Sequence, residues 1–178
     1  SLGADDAAKL ESLHVAASGI AAATTTEAVY ETAVTTAEDV LEFDVCGVFV
    51  HREGALVPVT QTDPTAPLQP YEDTRGVLGR TFQTGESILV GEATAHSQAE
   101  PADDSFRSGV SVPIGETGVL QAISAEPHYY DETDLELAEL LAIHVTEAVT
   151  RIRSERNLRE SKRKIERLHA VATSLETC

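Results

Sequence analysis

The chain has 178 residues, 42% of them hydrophobic, with 30 acids against 13 Lys plus Arg for a net charge of −17; that length suits one domain with a core and something extra. Cys46 and Cys178 are the only cysteines, which excludes a disulfide framework and zinc-type spacing; no apolar run is long enough to span a bilayer and no signal peptide is visible, so a cytoplasmic protein is expected. A body this acidic repels phosphate, which argues against a nucleic-acid partner.

A helix is predicted over residues 5–23, because Leu10, Leu13, Ala17 and Ile20 fall on one face. The stretch "TTTEAVYETAVTTAEDVLEF" reads as a second helix. Thr24 and Glu27 fit a capping box, and Val29, Ala33, Ala37, Val40 and Leu41 make the buried stripe. The period then changes. Val45 to Val50 is a β-branched and aromatic run, His51 to Gly54 a polar turn, and Leu56 to Gln61 a second strand, which together predict a hairpin. "TDPTAPLQPYED" is a proline-rich loop. Val77 to Thr84 is predicted to be a short helix stopped by Gly85, and Ile88 to Val90 a short strand. Gly91 to Asp104 is polar and acidic, a long surface loop. "RSGVSVPI" and "GVLQAISA" are two strands around a tight turn from Gly115 to Gly118.

The last helix opens at Asp131, an N-cap with Asp134 three residues on; Tyr130 and Leu135 occupy the hydrophobic-staple positions. Leu137, Leu141, Val145, Ala148 and Ile152 form one seam. Leu158, Ser161, Ile165, Leu168, Ala172 and Leu175 form a second, of strict a/d type and out of step with the first by one residue near "RSERN". The charge shifts at the same place. Residues 1–150 carry a net of −21 and residues 151–178 a net of +4. The fold class is therefore α+β: an antiparallel sheet of five or six strands, N- and C-terminal helices packed on one face, and a long C-terminal signalling helix. Three segments are expected: a linker and dimerisation helix over 1–23, a domain over 24–152, and a coiled-coil helix over 153–178. The homodimer would use Leu10, Leu13, Ile152, Leu158, Ile165, Leu168 and Leu175.

Three stretches, taken in order, resemble the GAF domain, a small-molecule sensor module of signalling proteins. They are "TTTEAVYETAVTTAEDVLEFDVCGVFV", "RGVLGRTFQTGESILVGEA" and "SGVSVPIGETGVLQAISAEPHYYDETDLELAELLAIHVTEAV". The likeness spans about residues 24–152. It implies a sensory module of a signal-transduction protein that binds a small ligand and relays the change through its last helix. A ligand-free dimerisation spacer is the alternative. An enzyme on a GAF-like body, a reductase or hydrolase, is the third reading and is not the one expected: no P-loop, dinucleotide fingerprint, zinc-protease helix or Gly-x-Ser-x-Gly is visible, and the cysteine cluster of the methionine-sulfoxide-reducing members is absent. The Asn-Lys-Phe-Asp-Glu set of cyclic-nucleotide-binding members is also missing, and Cys46 lies in the first strand rather than in a pocket loop as bilin-binding members require. The cofactor is left unknown.

The end of the chain repeats its beginning. Lys9, Glu11, Leu13, His14 and Ala17 return as Lys164, Glu166, Leu168, His169 and Ala172. Tandem sensor domains share such helices, so a further domain is expected to follow. With its acidic surface and scarce lysine, the chain resembles parts of the multidomain sensor kinases and transcription regulators of halophilic archaea, with two-component partners. Within the domain, Arg75 and Arg107 are candidates for an anionic ligand, because a guanidinium grips carboxylate or phosphate well. A surface ion pair with neighbouring acids is the plainer reading of both. Phe49, Phe106 and Gln121 are candidates to line the pocket if their side chains face the loops. No catalytic or metal-binding motif is visible, and the basic run "RSERNLRESKRKIER" interleaves its charges as a solvated helix does.

Overall fold

The computed structural model describes residues 3–63, 68–93 and 106–177. Part of the proline-rich loop, most of the acidic loop with Asp103 and Asp104, and Cys178 lie outside the described residues. The elements run α1 (Ala4–Ala22), α2 (Thr26–Asp39), β1 (Val45–Arg52), β2 (Ala55–Gln61), β3 (Tyr71–Glu72), α3 (Gly76–Thr84), β4 (Ile88–Val90), β5 (Ser108–Ile114), β6 (Gly118–Ser124) and α4 (Glu132–Glu176).

The six strands form one antiparallel sheet in the order β3-β2-β1-β6-β5-β4. Two tight turns generate most of it. Glu53 and Gly54 close the β1–β2 hairpin with positive φ, and Gly115 at φ 51° opens the β5–β6 turn. The fold class read from the sequence holds, with six strands. The two-residue β3 was missed, because two residues inside a proline-rich loop carry no periodicity.

Helices α1, α2 and the first half of α4 cover one face of the sheet. Leu137, Leu141, Val145 and Ile152 of α4 are buried with Val110, Val112 and Ile114 of β5 and with Leu13 and Ile20 of α1. Each fully buried Leu, Ile or Val contributes roughly 1.5–3 kcal/mol of hydrophobic stabilisation. Arg151 clasps the end of α1, its Nη2 donating to the carbonyls of Ala21 (2.8 Å) and Ala23 (3.2 Å). Those carbonyls have no intrahelical partner, so a cation there is doubly favoured. Helix α1 is thus part of the packed domain. Leu13 and Ile152, expected on dimer faces, are 1% and 2% exposed within the chain's own core, and Leu10 packs against that core.

The helix ends follow local chemistry. The Asp131–Asp134 capping box forms, with both backbone-to-carboxylate bonds at 2.9 Å. Gly85 ends α3 in the left-handed region at φ 71°. The cap of α2 is Thr25 rather than Thr24: its hydroxyl accepts from the Ala28 amide at 3.2 Å, because the helix begins one residue later than the sequence pattern indicated. Tyr130 is buried, meets Phe43 edge-on at 5.3 Å, donates to the Ile123 carbonyl and accepts from the Asp44 amide. It ties the start of α4 to β6 and to the turn before β1.

Helix α4 is 45 residues long without a break. Beyond Ile152 it leaves the body and extends roughly 36 Å at 1.5 Å per residue. Leu158, Ile165, Leu168 and Leu175 are 67–72% exposed there. Among the described residues no helix is long and apolar enough to cross a membrane. Replacing Leu141 by Ala should cost about 2–5 kcal/mol, while Val15→Ala on the open face of α1 should stay within about 0.5 kcal/mol. Urea unfolding at fixed salt measures both.

Candidate functional site

The sheet's second face carries α3. Strand alternation decides what reaches it. In β1, Cys46, Val48 and Val50 enter the helical core, while Phe49 faces α3 and packs with Leu56, Leu78 and Val119. Leu68, Tyr71 and Phe82 border this second cluster. One row across the sheet is polar: Gly47 pairs with Gln61 on one side and Gln121 on the other, and Gln121 pairs with Ser111.

That row is roofed in part. Leu68 sits directly over Gly47, where an added Cβ would fall 2.5 Å from its Cδ1. The Leu68 amide donates to Gln61 Oε1 at 3.0 Å, and Gln61 Nε2 donates to the Asp63 carbonyl. The Thr81 and Ser111 hydroxyls form a buried hydrogen bond of 2.8 Å that pins α3 to β5. Gly79 lets α3 lie against the preceding turn, since a Cβ there would meet the Thr74 carbonyl carbon at 2.7 Å. At the rim, His51 Nε2 lies 2.8 Å from Asp73 Oδ2, and its ring stacks on Phe82 at 4.5 Å.

The sequence candidates separate into two groups. Phe49 and Gln121 share the α3 face, buried and half-buried respectively. Arg75 occupies the N-cap position of α3 at the same rim, its guanidinium 5.8 Å from the Tyr71 ring centroid. Arg107 stands apart. It grips Glu92 with both Nε (3.2 Å) and Nη2 (2.7 Å), the ion pair that its acidic neighbourhood indicated. Phe106 beside it is half-buried. Sequence reading named Gln121 but missed its row partners Gln61 and Ser111, and it missed the His51–Asp73 pair. The signal for His51 was available, since it follows Phe49 by two residues and so shares its face.

Cys46 lies on the other side of the sheet. It is wholly buried, and burial pushes its thiol from about 9 up to about 12. Burial also raises the Tyr130 phenol.

A family model described as GAF domain matches residues 23–150, well over half of the chain. The chain belongs to the GAF domain family. Its fold is similar to that of free methionine-R-sulfoxide reductase from Neisseria meningitidis in complex with its substrate, with 23% identity over 87% of this chain and 96% of that one, at a TM-score of 0.78. It is also similar to the GAF domain of a phosphoenolpyruvate-protein phosphotransferase from Coxiella burnetii, with 20% identity over 84% and 97% of the two chains and a TM-score of 0.74. Residues 122 to 287 of a methyl-accepting chemotaxis protein match with 19% identity over 80% and 98% and a TM-score of 0.64. A comparison with curated proteins finds no match.

The reductase corrects the expectation that this chain is not an enzyme. A GAF body of nearly the same extent carries that activity, so the fold leaves an enzyme role open. The absence of familiar catalytic motifs and of a cysteine cluster was too narrow a criterion, because each tests one chemistry and not catalysis on the scaffold in general.

The buried thiol has two consequences. Iodoacetamide at pH 8 should leave the Cys46 peptide unlabelled in the folded chain and label it after denaturation, as read by peptide mass spectrometry. The raised pKa means that the folded state holds the proton longer than the unfolded state does. Stability should therefore fall as pH climbs from about 9 to about 12, by about 1.4 kcal/mol per pH unit from this group, with Tyr130 adding a loss of the same sign.

Proposed function

We propose that the chain is a sensory or regulatory unit that binds a small ligand on the α3 face and passes the change through α4 to an adjoining domain. The observation that carries this is the continuity of α4. Its first half is buried against β5, and the same helix emerges with a seam of exposed apolar residues. A shift of the sheet or of α3 reaches β5 through the Thr81–Ser111 bond and would turn or slide the emergent half. Phe49, Gln121 and Arg75 line or rim the ligand face in this reading, while Arg107, held by Glu92, stands apart from it with Phe106 beside it.

The emergent seam supports a homodimer. Leu158, Ile165, Leu168 and Leu175 repeat at coiled-coil spacing, and a helix face this apolar is stable only against a partner. Replacing Leu168 and Leu175 with Asp should convert dimers to monomers in light-scattering chromatography, with the helical content of the body retained. A wild-type monomer at high concentration would remove the dimer from the proposal.

A second reading, a dimerising spacer without a ligand, has its own support. Phe49, Leu56, Leu78 and Val119 pack into the α3 face, and Leu68 sits on Gly47. Native mass spectrometry of the purified dimer separates the two. Extra bound mass supports the sensor; its absence, with no thermal shift across a metabolite panel, supports the spacer.

We also read the acidic surface as an adaptation to high salt. At a net charge of −17 the body repels itself, and about molar salt shortens the screening length to about 3 Å. The melting temperature should rise steadily from low to molar KCl. A flat profile would reject this adaptation.

A further inference from the structure

On the helical side of the sheet, away from α3, a groove of about 120 Å³ opens between the start of α2, the β1–β2 hairpin and the root of the emergent helix. Glu27, Tyr30, Glu31, Arg52 and Arg153 line it. Three features set it apart from ordinary surface.

First, Tyr30 is 5% exposed, and its hydroxyl is buried with no hydrogen-bond partner among the described residues. A buried hydroxyl without a partner is unfavourable, and native proteins seldom leave one. The phenol is close enough to Arg153, Glu27 and Arg52 to be influenced electrostatically by all three.

Second, the groove gathers two arginines in a chain with 30 acids, and neither forms an ion pair among the described residues. Among the described residues the Arg153 guanidinium donates only to the Thr117 hydroxyl, at 3.0 Å. The Arg52 side chain has no hydrogen-bond partner there.

Third, the lining charges balance. Two guanidiniums face two carboxylates that they do not bind directly. A simple anion would be attracted by Arg52 and Arg153 but repelled by Glu27 and Glu31. A simple cation meets the reverse. A molecule with both charges a few ångströms apart satisfies all four, and its carboxylate can accept from the Tyr30 hydroxyl as well. A cavity of about 150 Å³ takes one benzene-sized molecule, so this volume suits a very small ligand.

We propose that this groove binds a small zwitterion, an α-amino acid or a compound of the same ammonium–carboxylate chemistry, with its carboxylate at Arg52, Arg153 and Tyr30 and its ammonium at Glu27 and Glu31. The position gives such a ligand influence. Arg153 is the next residue after Ile152, the last buried residue of α4, and it also holds the β5–β6 turn through Thr117. An occupant would link α2, the hairpin and the helix root at the point where α4 leaves the body. This site is separate from the α3 face and stands whether or not that face binds a ligand.

The test is a titration of the ¹⁵N-labelled full chain at constant salt, followed by amide chemical shifts, with L-alanine, glycine, acetate and methylamine as probes. Alanine or glycine should move Thr26–Glu31, Arg52, Thr117 and Arg153, and acetate and methylamine should each act far more weakly. Arg52→Gln, an exposed change, and Tyr30→Phe, which keeps the ring in the core, should each weaken binding about tenfold or more. Absence of shifts with either amino acid overturns the proposal. So do equal shifts with acetate, shifts confined to the α3 face, or unchanged affinity in Arg52→Gln, the variant least able to disturb the fold.

Discussion

Burial of the first half of α4 against β5 is the contact on which the rest depends. Leu137, Leu141, Val145 and Ile152 occupy one helical face and are almost wholly removed from water. With α1 and α2 they close one side of the sheet, which leaves the other side as the only face on which α3 can pack. The same packing sets the rotation at which α4 leaves the body. A rigid helix transmits that rotation, so the direction of Leu158, Ile165, Leu168 and Leu175 is decided inside the core.

The two faces of the sheet differ in chemistry because strands alternate. The helical side receives Cys46, Val48 and Val50, and it is dry enough to hold a thiol far above its ordinary ionisation range. The α3 side receives Gly47, Phe49 and His51, and with them the polar row of Gln61, Gln121 and Ser111. Small and polar groups beside a packed aromatic can both seat α3 and meet a ligand. That double role is why the ligand-binding and spacer readings draw on the same residues.

Charge acts at longer range. The body is acidic throughout, while the emergent helix is basic. The arginines of the body and of the helix root are therefore informative by where they go. Arg107 is held by Glu92, Arg151 caps α1, and Arg75 lies near Tyr71. Arg52 and Arg153 border the groove over Tyr30 without a carboxylate partner among the described residues.

Much of this was legible in the sequence because its causes are local. Helical spacing placed the stripe of α4, Asp131 and Asp134 announced its start, Gly85 ended α3, and the β-branched runs marked β1, β5 and β6. Each depends on neighbours within a few positions. The rest depended on residues far apart in the chain. Leu13 and Leu168 occupy equivalent places in a repeated motif, yet one is buried and the other open, because only the first has α4 and the sheet beside it. Leu68 over Gly47, Glu92 on Arg107, and Arg153 brought across to Tyr30 are all meetings made by sheet register and helix packing. Periodicity determines which face of an element is apolar. What covers that face is decided only when the elements meet in three dimensions, since burial and hydrogen bonding depend on distance in space rather than along the chain.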